Sequence, residues 1–249
     1  MSETMRMWTE IGFNVLYLVA IWWLVFRMVR QRGQVPPQNQ RLAALLIGAF
    51  ALLALGDTGH VGFRVLAYAM GGLENAAVTI AGRDFGLVGM GALATAITVT
   101  FFYVLVLFMW QARYQKPLGW FGLLLLAAAA IRLIIMAFPQ NEWNSVVPPQ
   151  PWGLIRNTPL IIQGLGVMFL ILRDARATGD RPFMLIGLMI LASYAFYTPV
   201  ILWVQQVPAL GMLMIPKTLA YVAIAWIGYR AFFGADASAP RSAAPAGTR

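Results

Sequence analysis

The amino-acid sequence predicts an all-α membrane protein, a bundle of seven transmembrane helices. Three observations lead to this fold class. Of the 249 residues, 60% are hydrophobic and only 11% are charged, whereas a soluble domain carries about 25% charged residues. The mean hydropathy of the chain is +0.72. The apolar residues also gather into segments close to the ~20 residues that a membrane-crossing helix needs.

Seven such segments follow one another along the chain. The predicted spans are 9–29, 42–63, 85–110, 118–138, 153–172, 183–204 and 209–233. Short polar segments rich in Pro, Gln, Asn or Arg separate them, for example RQRGQVPPQNQR at 30–41. Because the spans use nearly all of the chain, we predict one transmembrane domain at 1–233. The remaining segment, 234–249, is small, polar and Pro-rich, which predicts a disordered cytoplasmic tail.

The basic residues predict the orientation of the bundle. They concentrate in or beside alternate loops, which all fall on one side of a chain that crosses seven times: Arg27, Arg30, Arg32, Arg41, Arg113, Lys116, Arg173, Arg176, Arg181 and Arg230. The opposite loops carry Glu74, Arg83, Asp84 and Glu142. The positive-inside rule then predicts an outside N-terminus and a cytoplasmic C-terminus in a multi-pass protein of the cell membrane.

This topology also accounts for the formal net charge of +9. No nucleic-acid-binding motif accompanies the charge, so no nucleic-acid partner is expected. The lipid bilayer is the first partner that the sequence predicts.

One group of ionisable residues lies inside the second span. Asp57, His60 and Arg64 stand at i, i+3 and i+7, and His60 is the only histidine of the chain. On a helix they share one face. Ionisable groups inside a bilayer cost about 2.5–3.5 kcal/mol each on insertion scales and usually face the bundle interior. The group therefore indicates either a proton relay or anion site, or a structural ion pair near the membrane surface.

Three more cations fall in the outer half of the predicted bundle: Arg132 in span four, Arg156 at the start of span five and Lys217 in span seven. For Arg64 and Arg156, close to span ends, snorkelling to lipid headgroups is the alternative reading. Further polar side chains follow at helical spacing on spans five to seven: Gln163, Tyr194, Tyr197 and Tyr221. Prolines in the outer halves of the same spans are expected to kink them: Pro159, Pro199 and Pro216.

These faces predict a polar cavity that opens outward and binds a ligand. Its expected lining is Asp57, His60, Arg64, Arg132, Arg156, Gln163, Tyr194, Tyr197, Lys217 and Tyr221. Because cations exceed acids among them, we expect a small anionic or amphiphilic ligand, such as a carboxylate or a lipid headgroup. The short inner loops carry no catalytic domain, so a sensor would pass its signal to a cytoplasmic or membrane protein partner.

Three other functions remain open at this stage. A proton-coupled transporter would use Asp57 and His60 as titrating groups. An intramembrane enzyme is a weaker hypothesis, because no serine, histidine and acid stand in a recognisable motif. A metal site is not expected, since the chain has one histidine and no cysteine.

The last alternative is a retinal-binding protein. Lys217 lies in the seventh span of a chain predicted to begin outside, and SYAFYTPVILW (193–203) combines aromatic residues with a proline. In both features the chain resembles the rhodopsins, and the resemblance implies a covalent retinal on Lys217. The sequence departs from that family in the third span (85–110), which contains no acid. Asp57 would then have to serve as the counterion. The sequence by itself leaves the cofactor, if any, unknown.

Overall fold

The computed structural model describes residues 3–72, 76–80 and 83–234. It contains seven long helices: α1 (Glu3–Gln31), α2 (Gln40–Ala69), α3 (Leu87–Tyr114), α4 (Gly119–Met136), α5 (Trp152–Thr178), α6 (Arg181–Trp203) and α7 (Met214–Phe233). An antiparallel hairpin of β1 (Ala77–Ile80) and β2 (Arg83–Gly86) joins α2 to α3. Single 3-10 turns lie at Arg32–Gln34, Pro37–Asn39, Pro139–Asn141 and Pro208–Leu213.

The predicted number of membrane-length helices is confirmed. The described part of the chain has seven helices that are long and apolar enough to cross a membrane. The hairpin was not predicted. Residue Glu74 and the tail from 235 onward lie outside the described residues, so the predicted tail stays a prediction.

Neighbouring helices form a closed ring. Each helix from α1 to α6 packs on the next helix along the chain, and α1 closes the ring against α7. In addition to α4, α3 also contacts α5. Many large apolar side chains point away from this ring and are exposed, among them Trp120 at 77% and Leu16 at 72%. A surface of this kind suits contact with lipid rather than water.

The interior of the ring is packed with aromatic side chains around α3. Phe102 makes edge-on contacts with Phe50 at 5.4 Å and with Tyr221 at 5.3 Å between ring centroids. Edge-to-face geometry of this kind is favourable because the positive ring edge meets the negative ring face. These contacts join α2, α3 and α7 below the region where the polar residues gather.

The two ends of the ring differ. The end that holds the loops 32–39, 115–118 and 179–180 is called the basic end here, and the opposite one the cavity end. At the basic end, Asp174 is 2% exposed and accepts hydrogen bonds from Trp110 (2.9 Å), Lys116 (3.0 Å) and Arg173 (2.8 Å). Arg113 pairs with Asp180 at 2.6 Å. These bonds tie α3 to the end of α5 and the start of α6.

The sequence missed the burial of Asp174. The predicted fifth span stopped at residue 172, which left Asp174 in a loop. Instead α5 continues to Thr178, so a buried carboxylate lies inside the bundle near the basic end.

At the cavity end, the hairpin and the segment 138–151 pack over the start of α3. The Asn144 amide donates to the Asp84 carbonyl at 3.1 Å and accepts from the Gly86 amide at 3.1 Å. Gly89 is required below them, because a Cβ there would overlap the Trp143 carbonyl oxygen. This packing fixes the segment that carries Trp143.

Two of the three prolines lie where the sequence predicts. Pro159 and Pro199 are inside α5 and α6, and each removes one helix hydrogen bond at the cavity end. Pro216 differs from the expectation, because α7 begins at Met214 after a 3-10 turn. Pro216 therefore lies in the first turn, where a missing amide proton costs nothing.

Candidate ligand-binding cavity

A cavity of about 400 Å³ lies inside the ring at the cavity end. It is bounded by the N-terminal parts of α1, α3, α5 and α7 and the C-terminal parts of α2, α4 and α6. Nine of the ten predicted site residues line it: Asp57, His60, Arg64, Arg132, Arg156, Tyr194, Tyr197, Lys217 and Tyr221. Four of these side chains are cationic and one is a carboxylate.

Gln163 is the predicted residue that does not line the cavity. It is fully buried between α5 and α3, where its amide nitrogen donates to the Thr100 carbonyl at 3.3 Å. Seven residues separate it from Arg156, about 10 Å along a helix. Helical spacing predicted the face of α5 on which Gln163 lies, but Gln163 is deeper in the bundle than the cavity reaches.

Asp57 is held by hydroxyl groups from two other helices. The Tyr17 hydroxyl of α1 donates to its Oδ2 at 2.6 Å, and the Thr95 hydroxyl of α3 lies 3.2 Å from its Oδ1. The Thr95 hydroxyl also lies 3.0 Å from the Gly56 carbonyl oxygen. The carboxylate is thereby oriented on the α1–α2–α3 side of the cavity.

His60 and Arg64 continue the same face of α2 toward the rim. Gly91 of α3 packs against the His60 backbone, where a Cβ would come within 2.8 Å of the His60 Cα. The His60 Nδ1 is buried and has no hydrogen-bond partner among the described residues.

Lys217 lies on the opposite side, one turn into α7. Its ammonium group is 5.0 Å from the centre of the Tyr197 ring and 4.9 Å from that of Tyr221. Contact with two aromatic faces favours a cation partly removed from water. Between described residues, no ion pair within 4.0 Å involves Lys217 or any other cavity residue.

Arg132 is a buried cation, 2% exposed, that bonds to backbone and hydroxyl oxygens of two neighbouring helices. Its Nη1 donates to the Ala96 carbonyl at 2.9 Å and to the Thr100 hydroxyl at 2.6 Å. Its Nε donates to the Arg156 carbonyl at 3.1 Å. Arg132 thus joins α4 to α3 and α5, and its guanidinium charge remains uncompensated within the described part of the chain.

Arg156 lies with its guanidinium over the Trp143 ring, 4.4 Å from the ring centre. A stacked guanidinium keeps its N–H groups at the edge of its plane, free for a carboxylate. Trp143 is itself fixed, because its ring nitrogen donates to the Met136 carbonyl at 2.9 Å. Arg156 thus lines the cavity with its guanidinium against Trp143, and snorkelling to lipid headgroups stays a prediction.

Tyrosines form the floor of the cavity. The hydroxyls of Tyr103 and Tyr221 are 2.9 Å apart, and the Tyr194 hydroxyl donates to the Leu160 carbonyl at 2.8 Å. Gly164 lets the Tyr194 ring approach α5, since a Cβ there would overlap the ring. Between this floor and Asp174 the interior is apolar and buried: Val106, Leu107, Val167, Leu170, Ile171, Ile186 and Ile190.

Sequence reasoning missed Tyr17 and Trp143, which line the cavity, and Tyr103, whose hydroxyl contacts that of the lining residue Tyr221. A signal existed for Tyr17, which stands four residues from both Phe13 and Ile21 on the buried stripe of α1. Two polar residues that follow Tyr194 at helical spacing do not line the cavity: Thr198 on α6 and Gln205 just beyond its end. Thr198 bonds back to the Tyr194 carbonyl at 2.8 Å, and Gln205 donates to the Pro148 carbonyl at 2.8 Å.

No known protein family, curated protein or solved structure matches this chain. The resemblance to rhodopsins therefore stays a prediction from the residues alone. Across the described residues, no group of three or more His, Cys, Asp or Glu side chains could hold a metal ion. The site has to be interpreted from its own geometry.

Proposed function

We propose that this chain is a multi-pass protein of the cell membrane that binds a small amphiphilic anion in the cavity between its helices. One observation carries the proposal. Four cationic side chains and one carboxylate line the same cavity, and no ion pair among the side chains that the structure describes involves any of them. Uncompensated charges in a poorly hydrated site are costly. An anionic ligand supplies the missing countercharge.

The remainder of the lining favours a ligand with an apolar body. Phe13, Leu53, Val61, Val99 and Leu160 line the cavity beside the charged groups. The volume of about 400 Å³ lies in the range of small-molecule sites. An anionic head with a short hydrocarbon body satisfies both parts of the lining.

The orientation of the bundle supports ligand entry from outside the cell. The basic end carries the loops with most of the basic residues, so the positive-inside rule assigns it to the cytoplasm. The cavity end then faces outward, as does the N-terminus of α1.

The apolar layer below the tyrosine floor favours binding over passage, because it separates the cavity from the polar groups of the basic end. Because the inner loops are short, we propose that binding is signalled to a partner protein. Uptake into vesicles tests the transport alternative. Labelled octanoate should accumulate no faster in vesicles that contain the protein than in empty ones.

Ligand binding is tested by the thermal stability of the purified protein in detergent with octanoate or with octanol. The two ligands share a chain length, and only octanoate is charged. A ligand at 100 times its Kd stabilises the folded state by about 2.7 kcal/mol. We expect stabilisation by octanoate but not by octanol, and loss of that stabilisation in Lys217→Met. Equal shifts with both compounds would refute an anion site.

The orientation has its own test, because the chain contains no cysteine. Ser145→Cys places a single thiol at the cavity end, and Gln38→Cys places one at the basic end; both positions are exposed. A membrane-impermeant maleimide added to intact cells should label only Ser145→Cys. Labelling of Gln38→Cys alone would contradict the proposed orientation and place the basic end outside the cell.

A further inference from the structure

The cavity also presents its carboxylate without a cationic partner. Asp57 and the four cations line one cavity, yet no nitrogen of the described cations comes within 4.0 Å of its oxygens. Opposite charges that share a poorly hydrated site normally pair. Here Asp57 and the cations border the same cavity without a direct contact.

The separation follows from how the side chains are anchored. Asp57 belongs to α2 and is bonded to Tyr17 of α1 and Thr95 of α3. Arg132 is bonded to Thr100 and to backbone oxygens, and Lys217 lies against two tyrosine rings. Each group has neighbours on its own side that hold it there.

The Asp57 carboxylate has free capacity to accept hydrogen bonds. A carboxylate offers about four lone-pair positions. Tyr17 and Thr95 occupy at most two of them. The remaining positions suit an N–H donor, and a charged donor forms a stronger bond than a neutral one.

We propose that the ligand is a zwitterion, an amphiphile that carries a primary ammonium group beside its carboxylate. This inference rests on the proposed function, that is, on an anion-binding cavity. The ligand carboxylate bonds on the side of the cavity that carries Lys217 and Arg156, and the ligand ammonium bonds to Asp57. A plain anion would leave Asp57 unpaired and would be repelled by it, whereas a zwitterion neutralises both sides of the cavity.

The test compares three compounds of equal chain length: 2-aminooctanoate, octanoate and octylamine. Binding to the full chain in lipid nanodiscs is measured by calorimetry. Wild type is expected to bind 2-aminooctanoate at least tenfold tighter than octanoate, and tighter than octylamine by a similar factor. Equal affinity for 2-aminooctanoate and octanoate overturns the zwitterion assignment.

Asp57→Asn removes the charge that binds the ligand ammonium while it preserves the packing of the side chain. The amide keeps the size of the side chain, and its oxygen can still accept from Tyr17. We expect this variant to bind octanoate at least as tightly as wild type and to lose its preference for 2-aminooctanoate. Glu142→Gln is the matched control, since it removes an exposed carboxylate at the same end of the molecule. That variant should keep the full preference.

A second measurement, on wild type, covers the case in which Asp57→Asn does not fold. The compound 2-hydroxyoctanoate keeps the chain length and the carboxylate and replaces the ammonium by a neutral hydroxyl, which bonds more weakly to a carboxylate. Wild type is expected to bind it several-fold more weakly than 2-aminooctanoate. Equal affinity for the two compounds would mean that the ammonium charge is not recognised, which overturns the role of Asp57.

The result also distinguishes the two proposals. Octanoate binding without any preference for the amino compound retains the anion site and refutes the zwitterion. If neither carboxylate binds wild type, the anion site itself is refuted, and the zwitterion fails with it.

Discussion

The chain has two lysines, one at each end of the bundle, and their surroundings are opposite. Lys116 at the basic end lies 3.0 Å from an Asp174 oxygen, and about half of its side chain is exposed. Lys217 at the cavity end lies between two tyrosine rings, with no carboxylate of the described residues within 4.0 Å. The same side chain therefore completes an ion pair in one place and borders an empty cavity in the other.

The two aspartates that face these lysines repeat the contrast. Asp174 accepts hydrogen bonds from a tryptophan and two cations. Asp57 accepts only from hydroxyl groups and borders the cavity. A satisfied charge is explained by the fold alone. A charge left unsatisfied inside a bundle needs a ligand to offset its desolvation, and this difference separates structural from functional candidates here.

The largest expected effect is the loss of octanoate binding in Lys217→Met. Truncating one partner of a buried charged contact costs about 2–5 kcal/mol, and 1.4 kcal/mol is about tenfold in affinity. Octanoate affinity measured by calorimetry should fall about 30-fold or more. The same substitution at the other lysine, Lys116→Met, should leave the affinity within about twofold. Similar losses in both variants would abolish the distinction between the two ends.

Asp174→Asn is expected to lower the free energy of unfolding by about 1.5–3 kcal/mol, because hydrogen bonds to charged groups contribute about that much. Asp57→Asn should cost less without ligand, because it removes a charge that has no cation within 4.0 Å among the described residues, and the amide oxygen still accepts from Tyr17. Thermal unfolding in detergent ranks the two variants. A larger loss for Asp57→Asn would assign Asp57 a structural role.

Gly89→Ala should destabilise the cavity end by about 1–3 kcal/mol, the usual cost of overpacking. The added methyl overlaps the Trp143 carbonyl oxygen, and only a backbone shift relieves the contact. Gly62→Ala is the matched control, because nothing lies within 4 Å of its Cβ position in α2. The control should be neutral or stabilising by up to about 1 kcal/mol. In thermal unfolding, the melting temperature should therefore decrease in the order Gly62→Ala, wild type, Gly89→Ala. Any other order contradicts the packing.

The smallest expected effect belongs to Arg156→Lys. It keeps the charge and loses the flat stacking on Trp143, which contributes about 0.5–1 kcal/mol. Octanoate affinity should fall about two- to fivefold, as read by calorimetry. Arg176→Lys, an exposed position in the last turn of α5, should leave the affinity unchanged. A loss as large as that of Lys217→Met would show that the ligand carboxylate needs both N–H groups of the guanidinium fork and not only its charge.

Much of the site followed from helical spacing. The face of Asp57, His60 and Arg64 was predictable because successive turns repeat every 3.6 residues. The order of seven spans on alternating sides then placed the cations of α4, α5 and α7 at the same end. Gln163 shows where this reasoning stops, since spacing gives the face of a helix but not the depth at which the ring opens into a cavity.

The contribution of Tyr17 and Trp143 was not predictable in the same way. Both act through partners distant in sequence: Tyr17 bonds to Asp57, and Trp143 stacks on Arg156. No local pattern identifies which helix faces which. Asp174 went unrecognised for a different reason, because the hydropathy of α5 falls before the helix itself ends.

The sequence alone determined the seven helices and the end of the bundle toward which each charge lies, because apolar length and helical period are local properties of the chain. Only the tertiary structure decided which charges meet. Lys116 and Asp174 are 58 positions apart and bonded, whereas Lys217 and Asp57 line one cavity and form no ion pair within 4.0 Å. Electrostatic pairing depends on distances of a few ångströms, and the packing of whole helices sets those distances.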